Sequence, residues 1–97
     1  MKKIKIGPKE KIHFVGIGGI GMSGLAQVMQ RMGFDVQGSD LSNNKNVERC
    51  RKIRIKVFSR HSKKNLKDAT IIVRSSAIKN NNPEIIAGKK RKIKIFK

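Results

Sequence analysis

Three glycines in the run Ile12-His13-Phe14-Val15-Gly16-Ile17-Gly18-Gly19-Ile20-Gly21-Met22-Ser23-Gly24 stand at the spacing Gly16-x-Gly18-x-x-Gly21. An apolar stretch precedes them and a helical pattern follows, which is the setting in which such glycines hold a phosphate group. Gly16 permits a tight exit from a strand, Gly18 keeps side-chain atoms away so that backbone N–H groups face an anion, and Gly21 lets the helix sit close to the strand. The anion then meets the positive end of the helix dipole. A structural glycine loop is the competing reading, and the motif alone does not say which nucleotide binds.

Asp40 closes Gly38-Ser39-Asp40 nineteen residues after Gly21, the distance at which a two-strand unit presents an acid to a ribose. Equally, Asp40 could cap a short helix over residues 46–52. Ser75, Ser76 and Ala77 follow a β-branched run, where the carboxyl ends of parallel strands meet ligands, or where a plain turn satisfies its own serines. His61 sits in Ser59-Arg60-His61-Ser62, and His13 falls in mid-strand, where a neutral imidazole held by neighbours is expected. An ATP-gripping Gly-x-x-x-x-Gly-Lys-[Ser/Thr] does not occur, since Gly88-Lys89 runs into Lys90 and is preceded at the required position by Pro83.

The elements that must position these residues follow from period and punctuation. Strands are expected at 11–15, 34–38, 55–58, 70–73 and 93–96, and helices at 20–32, 46–52 and 83–90, with a helical turn at 65–67. Met22, Leu25, Ala26, Met29 and Met32 recur at three- and four-residue steps, giving one face to lay on a sheet, and Gly33 then ends the helix. Pro83 suits a first helical position. Alternation at this pitch implies right-handed crossovers and an α/β fold: a Rossmann-like half with a five-stranded parallel sheet in order 3-2-1-4-5 and flanking helices.

Ninety-seven residues allow one small domain, here 11–97, after a basic arm at 1–10. The 24 Lys and Arg against 6 Asp and Glu give a net charge of +18, which raises nucleic acid as a partner. The basic residues are dispersed, however, and abundant Lys, Ile and Asn suit AT-rich coding, so a solvated surface with nonspecific polyanion binding accounts for the charge. Stacking platforms are lacking: Trp and Tyr are absent, and Phe14, Phe34, Phe58 and Phe96 all fall in or beside apolar runs that suit a core. Cys50 is alone, which excludes an internal disulfide and a cysteine metal cluster and suits a small core residue in a reducing, cytoplasmic compartment. No apolar run is long enough for a membrane partner.

The run from Lys11 to Gly24 closely resembles the opening motif of the UDP-N-acetylmuramate:L-alanine ligases, members of the Mur ligase family of peptidoglycan synthesis. Val36-Gln37-Gly38-Ser39-Asp40, the His61 region, Ser75-Ser76-Ala77-Ile78 and Asn82-Pro83-Glu84 follow in the family's order and spacing. The resemblance implies a domain that holds the UDP end of UDP-N-acetylmuramate. Gly18, Gly19, Ile20 and Gly21, flanked by Gly16 and Met22, would embrace the diphosphate. Ser39 and Asp40 would approach the uridine, and His61 with Ser75, Ser76 and Ala77 would line the rest of the mouth. It also implies that ATP and Mg²⁺ act in a central domain beyond these residues, so that this chain holds no cofactor of its own and does not ligate alone. A separately encoded catalytic domain is one partner this allows.

Four departures from the family pattern stand out. Arg54, Arg60 and Lys92 occupy places where family members usually carry glycine, and Arg74 brings a bulky charge toward the mouth. They suit either a detached fragment or a truncated homologue under relaxed selection. Two other functions use the same residues differently. A nicotinamide-nucleotide module would set the turn on its pyrophosphate and Asp40 on its adenosine ribose, and a nucleic-acid-binding protein would use the basic surface.

Overall fold

The computed structural model describes residues 10–97, and the basic arm lies outside them except for Glu10. Five strands, β1 (Lys11–Val15), β2 (Asp35–Ser39), β3 (Lys56–Phe58), β4 (Ile71–Arg74) and β5 (Lys94–Phe96), form one parallel sheet in the order β3-β2-β1-β4-β5. This is the expected order. The central strands bury both faces, as near-continuous apolar runs require. Three helices, α1 (Met22–Arg31), α2 (Lys45–Lys52) and α3 (Pro83–Lys90), and a 3₁₀ turn (Lys63–Leu66) make the connections.

Alternation along the strands divides the interior into two cores. Ile12 and Phe14 of β1, Val36, Val57 and Val73 meet Ala26 of α1 and Val47 and Cys50 of α2 on one face. Val15 and Ile72 meet Leu66 and Ile85 of α3 on the other. Burial pushes the Cys50 thiol above its ordinary range, as suits a packing residue.

The helix termini explain where chemistry is free to occur. Asn44 caps α2 by accepting from Val47 N–H at 3.0 Å, and Asn82 caps α3 by accepting from Glu84 N–H at 2.9 Å, with Pro83 in the first turn. Asp40 therefore does not cap α2. The first helix has no side-chain cap at all: its N-cap is Gly21, in the left-handed region at φ 82°.

Several expectations are corrected. Leu25 is 43% and Met32 68% exposed, because the face that α1 turns inward carries Met22, Ser23, Ala26 and Met29. Phe96 is 43% exposed on β5, where no helix of the described residues covers it. Arg54 and Lys92 do adopt positive φ (70° and 57°), whereas Arg60 does not, and Lys67 joins them at φ 48°. Arg74 is buried and turned into its own loop, donating to Asn80 Oδ1 at 2.7 Å and to the Ile78 carbonyl, so its charge stays out of the mouth.

Candidate functional site

The crevice lies where the connections leave β1 and β4 toward opposite faces of the sheet, the position at which open parallel sheets bind ligands. Residues 16–21 follow β1, and Ser75, Ser76 and Ala77 follow β4. The two exits touch: a Cβ on Gly16 would stand 3.1 Å from Ser75 Cβ, and one on Gly19 would stand 3.5 Å from Ser75 Oγ. Ser75 Oγ accepts from Ala77 N–H at 3.3 Å, while Ser76 and Ala77 are exposed at the rim.

Within the glycine turn the amides divide sharply. Gly16 and Ile17 donate to the Ser39 carbonyl, and Gly19 donates to the Gly16 carbonyl at 3.0 Å. The Gly18 N–H is held by Asp40 Oδ2 at 2.8 Å. Within residues 16–21, Ile20 and Gly21 alone have N–H groups without a partner among the described residues, and both are exposed at the helix start. The four-amide cradle expected over Gly18, Gly19, Ile20 and Gly21 is thus a two-amide tip on an internally bonded base. Ile20 is fully exposed, and Met22 turns inward to the core.

The glycines also serve differently from the expectation. Gly18 makes room for α2, since a Cβ there would lie 2.8 Å from Val47 Cγ2 and 2.9 Å from Asp40 Oδ2. Gly21 has nothing within 4 Å of such an atom, so its need is the left-handed backbone and not close helix packing. Asp40 braces the turn with one oxygen and accepts from Ser42 N–H at 2.8 Å with the other. Asn44 and Asn46 donate to the Gly18 carbonyl at 3.2 and 3.1 Å, completing that brace.

Behind the turn lies a buried polar cluster that the sequence did not disclose. Glu84, fully buried in the first turn of α3, accepts from His13 Nε2 and Ser39 Oγ on Oε1, both at 2.6 Å. On Oε2 it accepts from Ser62 N–H at 3.0 Å and Asn65 Nδ2 at 2.7 Å. Burial pushes the Glu84 carboxyl up, but the hydrogen bonds and attraction from His13, with the bonds from Ser39 and Asn65, outweigh it and hold the group below its ordinary value.

The same cluster fixes both imidazoles. Gln37 Nε2 donates to the Asn65 carbonyl at 2.7 Å, which sets the amide so that it also donates to His13 Nδ1 at 2.8 Å. His13 thus presents Nε2 to Glu84 and, fully buried, is the structural histidine expected. Because Ser39 gives its proton to Glu84, its oxygen accepts from His61 Nδ1 at 2.9 Å. Ser39 is fully buried, so it forms the wall behind the mouth and not a surface that meets uridine. His61 keeps 13% of its side chain exposed.

Comparison with known proteins decides the family. The model described as "Mur ligase family, catalytic domain" matches residues 11–97. The chain belongs to the Mur ligase family. It is 61% identical over 95 residues to the UDP-N-acetylmuramate–L-alanine ligase of Pelagibacter ubique, covering 98% of this chain and 20% of that protein. The corresponding ligase of Xanthobacter autotrophicus is 50% identical over 86 residues, covering 89% and 18%. Among solved structures, UDP-N-acetylmuramate-alanine ligase from Thermotoga maritima superposes with a TM-score of 0.85 at 38% identity, over 89% of this chain and 20% of that one. The UDP-N-acetylmuramate:L-alanyl-gamma-D-glutamyl-meso-diaminopimelate ligase from Neisseria meningitides shares the fold at a TM-score of 0.80 and 24% identity, over 90% of this chain and 28% of its own. This member of the family therefore spans about a fifth of the length of the curated relatives it matches.

No helix among the described residues is long and apolar enough to cross a membrane. No group of three or more His, Cys, Asp or Glu among them is placed to hold a metal ion.

Proposed function

We propose that this chain is the substrate-binding domain of a UDP-N-acetylmuramate:L-alanine ligase and that it holds the UDP end of UDP-N-acetylmuramate in the cytoplasm. The observation that carries the reading is the pair of unpartnered amides at Ile20 and Gly21, at the positive end of α1 in the crevice between β1 and β4. Diphosphate oxygens accept from those two N–H groups. Ser76 and Ala77 stand across the crevice, and His61 borders the side nearest β3. Asp40 acts as a brace on the Gly18 amide, and its ribose role is confined to whatever lone pairs the Gly18 and Ser42 bonds leave open.

This reading assigns the ligation step to the whole ligase and not to these residues alone. Activation of the substrate carboxylate needs ATP and Mg²⁺, and the phosphate-gripping Gly-x-x-x-x-Gly-Lys-[Ser/Thr] is absent from the sequence. Catalysis then depends on a domain supplied by the rest of the ligase, in the same polypeptide or a separate one.

Calorimetry at a salt concentration that suppresses nonspecific phosphate attraction tests this, with amide spectra recorded alongside. UDP-N-acetylmuramate should bind more tightly than UDP and NAD, and should shift the Ile20 and Gly21 resonances before any others. Displacement of those resonances by NAD but not by UDP-N-acetylmuramate would falsify the proposal.

A further inference from the structure

We infer that Arg74 is a positioning residue for a phosphate anion: a buried cation with no counter-ion in the fold, enclosed by the loop that packs on the glycine turn, where its charge favours an anion at the Ile20 and Gly21 amides without touching it. The inference rests on the diphosphate reading of that turn. Arg74 ends β4 and is 8% exposed, the only lysine or arginine buried among the described residues. Its Nη1 donates to Asn80 Oδ1 at 2.7 Å, and its Nη2 donates to the Ile78 carbonyl. Its Nε has no partner, and no other buried side-chain nitrogen or oxygen among the described residues lacks one.

The acids are few enough to account for one by one. The chain has six, all within the described residues. Asp68 pairs with Lys11, and Glu84 with His13 and His61. Glu10 accepts from Thr70 Oγ1, and Asp40 accepts from the Gly18 and Ser42 amides. Asp35 begins β2, at the opposite end of the sheet from the close of β4, and Glu48 lies on α2. None forms an ion pair with Arg74. Both acceptors that the guanidinium does hold are neutral, and a buried charge left in that state is costly. An anion from outside the fold offsets the cost.

The position of Arg74 joins it to the proposed anion site. Val15 and Arg74 are register partners on adjacent strands, so Arg74 stands one residue before the loop just as Val15 stands one residue before Gly16. Ser75 donates its N–H to the Val15 carbonyl at 3.0 Å, and Ile78 donates to the Ser75 carbonyl at 3.0 Å. Ile78, whose carbonyl Arg74 holds, also packs on the turn: a Cβ on Gly16 would stand 3.2 Å from Ile78 Cδ1. Guanidinium, loop and turn thus form one chain of contacts. Away from water a fixed charge acts over distances at which solvent and salt would screen it. A loop staple alone accounts for the Nη1 and Nη2 bonds. It does not account for the charge, since a neutral amide supplies donors at a smaller desolvation cost.

Titration of the full chain with inorganic pyrophosphate, UDP and uridine at one ionic strength, followed at the Ile20 and Gly21 amides, tests the charge. Arg74→Gln keeps donors for the loop and removes the charge, whereas Arg74→Lys keeps the charge and gives up the planar fork. Arg74→Gln should weaken pyrophosphate and UDP on the order of tenfold and leave uridine unchanged, while Arg74→Lys should hold both anions within about threefold of the parent. Equal losses in the two variants, or a loss that extends to uridine, make Arg74 a loop staple and overturn the inference. So do anion affinities that neither variant alters, and a parent chain whose two amides pyrophosphate does not move. If Arg74→Gln does not fold, a tenfold loss in Arg74→Lys overturns it and parent-like affinity there supports it. The ligand reading fails separately: pyrophosphate binding that depends on Arg74, with no preference for UDP-N-acetylmuramate over NAD, upholds the role of Arg74 and removes the ligase substrate.

Discussion

Glu84 is a carboxylate cut off from water and held by four donors, in a chain where almost every other charge is positive and exposed. Its folded-state proton affinity is lower than that of the unfolded chain. The stability it contributes is therefore complete above the ordinary glutamate range, about 4.3, and is lost as pH falls through the lower folded value. Glu84→Gln places an amide against donors from His13, Ser39 and Asn65, and should lower stability at pH 7 by roughly 2–3 kcal/mol. In urea unfolding, the gap between parent and variant should narrow as pH falls below the ordinary glutamate range, because the unfolded chain then binds a proton that the folded carboxylate resists. Asp68, lowered by its exposed contact with Lys11, remains in both proteins and cancels. A gap that stays constant with pH would show that Glu84 is not ionised in the fold.

Three cationic residues hold backbone conformations that suit glycine. Lys67, at φ 48° and ψ −119°, takes the first central position of a type II′ turn closed by Ala69 N–H on the Leu66 carbonyl. Arg54 and Lys92 are left-handed at φ 70° and 57°. Replacement by glycine should stabilise the chain by about 1 kcal/mol at Arg54 and at Lys92, and by about 1–2 kcal/mol at Lys67. Thermal melts of the single variants check this, and Arg60→Gly should show no gain. The Arg54 and Lys92 positions were legible from the sequence as missing caps. Lys67 was not, because the strain arises only from how the 3₁₀ turn enters β4. The role of Glu84 was not legible either: Asn82-Pro83-Glu84 reads as a helix start, and nothing local shows that His13, 71 residues away, waits beneath it.

At the level of elements, two glycines set the spacing between layers, and their neighbours differ in how far they can yield. A Cβ on Gly38 of β2 would meet the Phe14 carbonyl at 2.7 Å and Ile17 Cβ at 2.9 Å, both fixed to backbone. One on Gly88 of α3 would meet Ile72 Cδ1 at 2.5 Å, the end of a side chain that can turn. Gly38→Ala should therefore cost about 3 kcal/mol or more by denaturant unfolding, and Gly88→Ala about 1 kcal/mol, offset in part by alanine's better helix propensity. Equal costs would mean that the strand-to-turn junction is softer than its contacts imply.

The elements themselves were legible because period and punctuation agree: β-branched runs between polar stretches, Gly33 after α1 and Pro83 at the start of α3. Strand order followed from the handedness of crossovers. What periodicity cannot express is the cover. Leu25 and Met32 fall on the same helical face pattern as Ala26, yet they lie at the edges of that stripe, beyond the part of α1 that meets the sheet, and are 43% and 68% exposed. The site was legible to a similar depth. Glycine spacing located the turn, but which amides remain free depends on Asp40 and Ser39, whose strand lies beside β1 only in three dimensions.

Taken as a whole, the molecule is a small body with a radius of gyration of 12.3 Å over the described residues and a net charge of +18 over the full chain. At 0.01 M salt the screening length is about 30 Å, so every lysine repels every other across the fold. At 0.15 M it falls to about 8 Å, below that radius, and repulsion becomes local. Unfolding separates these charges, so low salt favours the unfolded chain. Tm should therefore rise by several degrees between 0.01 and 0.15 M NaCl and change little beyond it. The diphosphate binding proposed for the turn adds a second, specific dependence: at fixed ionic strength, UDP-N-acetylmuramate near the millimolar range should raise Tm further, whereas the same ionic strength supplied as NaCl should not. Melts that respond identically to both would reduce ligand binding at Ile20 and Gly21 to the general attraction of a polycation for phosphate.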